Sequence, residues 1–256
     1  MKLRKVAVFD IDGTIFRSSL LIEVVNALIH EKIFPARAIS IYEGAHKKWL
    51  ERKGNYDEYI HGVIRAFERN IKGVSETDFM RVASLAVSAN QNRVYRYTRD
   101  LVKTLAKKHY YLLAISHSPK MIVDAFAKRL GFSKVYGLMY EIVHQRRISP
   151  RGGWASGARR GRKKEAQFTG KVLYADVVFD KASILRRAVV KENLTLKGSI
   201  GVGDTESDIS FLKMVERPIC FNPNRKLYAH AKRSGWEIVV ERKDMVYTIE
   251  KGKITT

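Results

Sequence analysis

At 256 residues and 45% hydrophobic composition the chain is long enough to bury a full core, which excludes a disordered chain. No apolar run approaches the roughly 20 residues of a membrane span. The 48 Lys plus Arg against 26 Asp plus Glu leave a net charge of +22. That field gathers anions such as phosphorylated metabolites, nucleic acid or acidic lipid without choosing among them, and a basic solvated surface is the plain alternative. The single Cys220 excludes an intramolecular disulfide and fits a reducing compartment. Lys2, Arg4 and Lys5 imitate the start of a signal peptide, but Asp10 and Asp12 cut the apolar stretch short. A cytoplasmic location with no membrane span is expected.

Val6-Ala7-Val8-Phe9 predicts a buried strand whose C-terminal end delivers Asp10 and Asp12 to a crevice, where open α/β sheets bind ligands. From Phe16 to about Asn90 the pattern is helical. Leu20, Leu21, Val24, Val25, Leu28 and Ile29 recur at helical spacing, and Ile60, Val63, Ile64 and Phe67 repeat it after Lys53-Gly54-Asn55. With no strand pattern to interrupt it, residues 17–90 read as a small helical cap inserted into a core of 1–16 and 91–256. Such caps govern substrate access.

An amphipathic helix follows from Arg93 to Lys108, then an apolar strand from Tyr110 to Ser116 and a helix from about Lys120 to Leu130 that Gly131 stops. Ser116 is open between a helix cap and a hydroxyl that hydrogen-bonds a phosphoryl oxygen. Val135 to Val143 and Phe168 to Val178 read as a hairpin projecting from the core. They enclose a basic stretch, residues 144–167, rich in Arg, Lys, Gly and Ser and expected to be a flexible loop. Its functional reading is an RNA or DNA contact through residues 144–164, with phosphate attraction and stacking on Trp154. A solvated basic insertion is the favoured reading.

Lys181 to about Glu192 is helical. A Lys at a helix start is ordinarily a surface residue, but this one comes shortly before the next motif. There Ser199 to Val202 forms a strand leading into Gly203-Asp204-Thr205-Glu206-Ser207-Asp208. Asp208 alone could complement a helix dipole, whereas Asp204 at a strand end is hard to explain structurally. A strand and turn at 218–224, a helix at 225–233 and a strand at 236–240 complete an alternating β/α order. The tail from Glu241 is open between a peripheral strand and a frayed end.

Together, Asp10-Ile11-Asp12-Gly13-Thr14, Ser116 after an apolar strand, Lys181, and Gly203-Asp204 with Asp208 resemble the four motifs of the haloacid dehalogenase (HAD) superfamily. Ile115-Ser116-His117-Ser118-Pro119, Phe221-Asn222-Pro223-Asn224 and the helical insertion resemble its phosphoserine-phosphatase-like branch, subfamily IB. The resemblance implies an α/β fold, a Rossmann-like (HAD-type) doubly wound parallel sheet with an inserted helical C1 cap. It also implies a Mg²⁺-dependent phosphomonoester hydrolase acting on a phosphorylated small molecule through an aspartyl-phosphate.

In that scheme Asp10 is the nucleophile and Asp12 the general acid and base. Asp10, the Asp12 backbone carbonyl and Asp204 ligate Mg²⁺, with Asp208 supporting them. Ser116 and Lys181 hold the phosphoryl group, and Gly13, Thr14 and His117 line the substrate. Asp12 disfavours carbon–halogen cleavage, since the dehalogenases lack an acid at that position. Ser18 or Ser19 stands where true phosphoserine phosphatases carry an acidic residue, with Glu23 one helical turn further on. Arg65 lies close to the expected cap arginine, whose place falls near Val63. The substrate is therefore read as a phosphomonoester of open identity. A phosphotransferase on the same site, and a nucleic-acid-binding protein acting through the basic loop, are the alternatives.

Overall fold

A computed structural model describes residues 3–145, 165–173, 180–250 and 253–255. Of the basic stretch 144–167, residues 146–164, Trp154 included, lie outside them, as do residues 174–179, while its ends, 144–145 and 165–167, are paired strand rather than loop. The described chain divides into two compact units, one of residues 3–23, 87–139, 180–250 and 253–255, the other of 24–86, 140–145 and 165–173.

The first unit is built on a sheet in the order β3-β2-β1-β5-β6-β7-β8-β9. Its strands are β1 (Arg4–Phe9), β2 (Tyr111–Pro119), β3 (Lys134–Gln145, of which 134–139 belong here), β5 (Leu194–Gly203), β6 (Arg217–Phe221), β7 (Glu237–Arg242), β8 (Met245–Glu250) and β9 (Lys253–Thr255). The six strands from β3 to β7 pair in parallel. β8 adds antiparallel to β7, and β9 antiparallel to β8, which resolves the tail as peripheral strand over those residues. β1 is flanked on both sides, and Val6 to Phe9 are fully buried, as a continuous apolar run in a central parallel strand requires. From β1 the chain winds outward first to β2 and β3, then to β5, β6 and β7. That reversal beside β1 is the switch point at which doubly wound sheets bind ligands, outside the C-terminal strand ends.

The helices of this unit are α5 (Arg96–Lys107), α6 (Lys120–Arg129), α7 (Lys181–Lys191), the short α8 (Ile209–Leu212) and α9 (Arg225–Ser234). The starts of α7 and α9 are locally encoded. The Asp180 carboxylate accepts from the Ala182 N–H at 3.0 Å and the Asn224 side chain from the Leu227 N–H at 2.9 Å, each satisfying a donor that the first helical turn leaves unpaired. α9 ends at Gly235, φ +66°. Ile184, Leu185 and Ala188 of α7, Phe211 and Leu212 of α8 and Leu227 and Ala231 of α9 join Val6, Val8, Leu113 and Ile115 in one buried cluster.

The second unit holds most of α1 (Leu20–His30) and of α4 (Glu76–Asn90), with α2 (Glu43–Leu50) and α3 (Tyr56–Asn70) between them. The end of β3 and the neighbouring β4 (Glu165–Leu173) complete it. Phe67 packs edge-on against Phe79 and Tyr140, and Phe79 against Phe168. The Phe168 backbone exchanges hydrogen bonds with Gly73 and Val74. The helical insert thus shares its core with a strand ribbon. Among the described residues no helix is long and apolar enough to cross a membrane.

Candidate active site

The site is assembled where β1, β2 and β5 end. β1 stops at Phe9, and the Asp10 N–H still donates to the Val202 carbonyl at 2.9 Å, so its carboxylate leaves the sheet edge in fixed register with β5. The chain then turns at Gly13, φ +78°, whose N–H donates to the Phe16 and Ser18 carbonyls. A Cβ here would lie 2.9 Å from Asp204 Cγ and overlap its Oδ2, so glycine serves both the left-handed backbone and the close approach of Asp204.

Asp204 follows the last residue of β5. The Asp204 and Thr205 N–H groups donate to Asp208 Oδ2 at 2.9 and 3.0 Å, which folds Asp208 back beside them. Lys181 is the first residue of α7, and the Asp180 cap directly before it sets where that helix begins. Its ammonium is 2% exposed and reaches Asp10 Oδ1 at 2.8 Å and Asp208 Oδ1 at 2.6 Å. Each of Asp10, Asp204 and Asp208 offers an oxygen lying within 4.8 Å of the other two. The Thr14 hydroxyl donates to Asp204 Oδ1 at 3.0 Å, while the buried Thr98 hydroxyl pins the Thr14 carbonyl at 2.9 Å.

Asp12 is held by a different set. Its Oδ1 accepts from the Leu20 N–H at 2.5 Å, and its Oδ2 from the Ser116 and Ser118 hydroxyls at 2.9 and 2.7 Å. Ser116 and Ser118 stand two residues apart where the pairing of β2 with β3 is irregular, and both hydroxyls reach the same Asp12 oxygen. His117 lies between them, half-buried.

Electrostatics follow from three clustered carboxylates with Asp12 beside them and one ammonium among them. Burial pushes Asp10 from the usual carboxylate range up to about 7, opposed by Lys181 and reinforced by Asp208 and Asp12. Burial also raises Asp204 well above that range, with Asp10 and Asp208 adding to it. Asp12 is raised by burial too, against the donors that hold it. Burial alone would lower Lys181, but Asp10 and Asp208 outweigh it and its pKa rises. The His117 ring is pushed down to about 4 by desolvation and then by Lys181, so it is neutral near pH 7 and adds no charge. Buried like charges in excess of their counter-charge either take up protons or recruit a cation. Hard carboxylate oxygens suit a small divalent ion.

The structure therefore gathers Asp10, Gly13, Thr14, Lys181, Asp204 and Asp208 at one point, with Asp12 fastened to Ser116 on β2. Sequence reasoning left out two hydroxyl roles. Thr14 faces Asp204, and Ser118 shares Asp12 with Ser116. The alternation Ser116-His117-Ser118 in a strand was the signal for the second; the first depends on a turn of φ +78° that residue order does not reveal.

Comparison with known proteins bears on the fold and the family. The phosphoserine phosphatase SerB1 of Mycobacterium tuberculosis (strain ATCC 25618 / H37Rv) is 24% identical over 238 residues, covering 92% of this chain and 70% of that protein. A Bordetella pertussis Tohama I protein of unknown function superposes with a TM-score of 0.65 at 15% identity, over 93% of this chain and 98% of that one. A structure of a phospho-aspartyl intermediate analogue of phosphoserine phosphatase gives 0.55 at 18% identity, over 95% and 96%. The family description "haloacid dehalogenase-like hydrolase" matches residues 7–213, a span that runs from β1 through Asp204 and Asp208. The chain belongs to the haloacid dehalogenase-like hydrolase family.

Proposed function

We propose that this hydrolase is a Mg²⁺-dependent phosphomonoesterase that works through an aspartyl-phosphate on Asp10. One observation carries the reading: a buried carboxylate at a strand end shares a single ammonium, Lys181, with Asp208 and has Asp204 within ligating distance. Asp10, the Asp12 backbone carbonyl and Asp204 would hold the metal, with Asp208 orienting Lys181 and the 204–205 backbone. Bound there, Mg²⁺ supplies positive charge that offsets the phosphoryl oxygens and the carboxylates.

An Asp10 oxygen attacks phosphorus as the bond to the ester oxygen breaks, and Asp12 gives its proton to that departing oxygen. Asp12 then takes a proton from water, whose oxygen attacks phosphorus. The bond to Asp10 breaks, releasing inorganic phosphate and restoring the carboxylate. Lys181 and the Ser116 hydroxyl hold phosphoryl oxygens, with backbone N–H groups near Gly13 and Thr14 and the neutral His117 completing the contact. An alcohol in place of water would make the same residues a phosphotransferase.

The helical stretch 17–90 is assigned the role of a substrate-selecting cap. Phosphoserine itself is not assigned. Ser18 or Ser19 stands in place of the expected acidic residue, and Glu23 is already paired with Arg93 at 2.7 Å, which weakens the case for recognition of a substrate ammonium. Phosphate release from a panel of phosphomonoesters, with and without Mg²⁺, tests the proposal. Release that needs the metal and disappears in Asp10→Asn supports it, and full activity in Asp10→Asn overturns it.

A further inference from the structure

We infer that Ser118 is the positioning residue for Asp12, keeping that carboxyl in place while Ser116 is turned to the phosphoryl group. The inference rests on the phosphomonoesterase reading above. A serine hydroxyl has one proton to donate. In the structure Ser116 directs its proton to Asp12 Oδ2 at 2.9 Å, the oxygen that Ser118 also serves at 2.7 Å. When Ser116 donates to a phosphoryl oxygen instead, Asp12 loses that bond. It keeps the Ser118 hydroxyl on Oδ2 and the Leu20 N–H on Oδ1, one donor per oxygen, and the carboxyl plane stays defined.

Ser118 is built for a fixed role. It is 3% exposed, and its own N–H donates to Ser116 Oγ at 2.9 Å, which ties the two serines together. β3 passes closely enough that a Cβ on Gly137 would fall 2.9 Å from the Ser118 carbonyl and 2.8 Å from Lys120 Cα, so the strand is clamped at this point. Two serines two residues apart thus divide the work, one for substrate and one for the acid.

The test uses the leaving group. A poor leaving group, the alkoxide of a simple alkyl phosphate, needs the proton of Asp12, whereas p-nitrophenolate departs without it. Ser118→Ala is compared with the unaltered chain in Mg²⁺ on p-nitrophenyl phosphate and on the best alkyl ester of the panel, with a melting curve to show that it folds. A misplaced acid forfeits part of the 10²–10⁴-fold that general acid catalysis supplies, so kcat/KM on the alkyl ester, which covers only the steps up to departure of the alcohol, falls on the order of 10- to 100-fold. kcat/KM on p-nitrophenyl phosphate stays within about threefold, because the water step that Asp12 serves as base follows departure of the phenolate and does not enter that ratio. Equal losses of kcat/KM on both esters, or no loss of it on either, overturn the inference while leaving the phosphatase standing. No hydrolysis of any ester by the unaltered chain removes the phosphatase reading itself, and the positioning role with it.

Discussion

Gly13→Ala perturbs the site through a single methyl group. The new Cβ would sit 2.9 Å from Asp204 Cγ and overlap Oδ2, where ordinary contact begins near 3.4 Å. Relief requires Asp204 or the turn itself to move by about 1 Å, and a misplacement of that size in a catalytic constellation costs on the order of 100-fold in rate. The backbone adds a separate penalty, because φ is +78° and a left-handed conformation costs a non-glycine residue about 1–2 kcal/mol. For a chain of this size that lowers the melting temperature by roughly 2–8 °C. The expected signature is a folded protein, slightly less stable, whose Mg²⁺-dependent phosphate release falls about 100-fold and whose Mg²⁺ affinity, measured by calorimetry, weakens with it. Retention of both rate and affinity within about twofold would show that Asp204 does not need the space that Gly13 leaves, and would refute the reasoning.

Lys181→Met removes the cation that Asp10 and Asp208 share at 2.8 and 2.6 Å. Breaking a buried pair in this way costs about 3–5 kcal/mol, seen as a melting temperature lower by roughly 10 °C, and an unchanged melting curve would contradict the shared-cation picture. The stability of the metal-free protein depends on pH. Asp10 is raised from 3.8 to about 7 when folded, so the folded state binds its proton more tightly than the unfolded chain. That contribution is fully present below pH 3.8 and is lost as pH rises through about 7. Asp12 and Asp204 are raised in the same sense. Thermal stability in chelator should therefore fall between about pH 4 and 7, and Mg²⁺ should flatten the slope and add about 2.7 kcal/mol at a hundred times its dissociation constant. A flat profile without metal would mean that the carboxylates are not electrostatically frustrated.

Much of this architecture is legible in residue order because the parallel core is written as apolar runs ending in polar residues. Val6 to Phe9 before Asp10, and Ser199 to Gly203 before Asp204, identify strand ends as well as strands. Helix starts are legible where a cap precedes them, as with Asp180 and Asn224. The β1–β2–β5 register is not local information, since Val8 meets Leu113 and Gly201 only after the chain has wound around the sheet. That register carries Ser118 to Asp12. The tail was ambiguous for a similar reason, because β8 gains its definition from pairing with β7, and β9 from pairing with β8. Lys181 shows the limit of composition rules. A lysine at a helix start reads as exposed, and only the two carboxylates waiting at its ammonium explain why it is buried.

The central claim is that Asp10 becomes covalently phosphorylated. Rapid acid quench of the unaltered chain turning over its best ester, followed by mass spectrometry of the peptides, tests it directly. The account predicts a phosphoryl adduct on the peptide carrying Asp10, formed only with Mg²⁺ and absent in Asp10→Asn. Steady phosphate release with no adduct at any quench time, or an adduct that persists in Asp10→Asn, would contradict it.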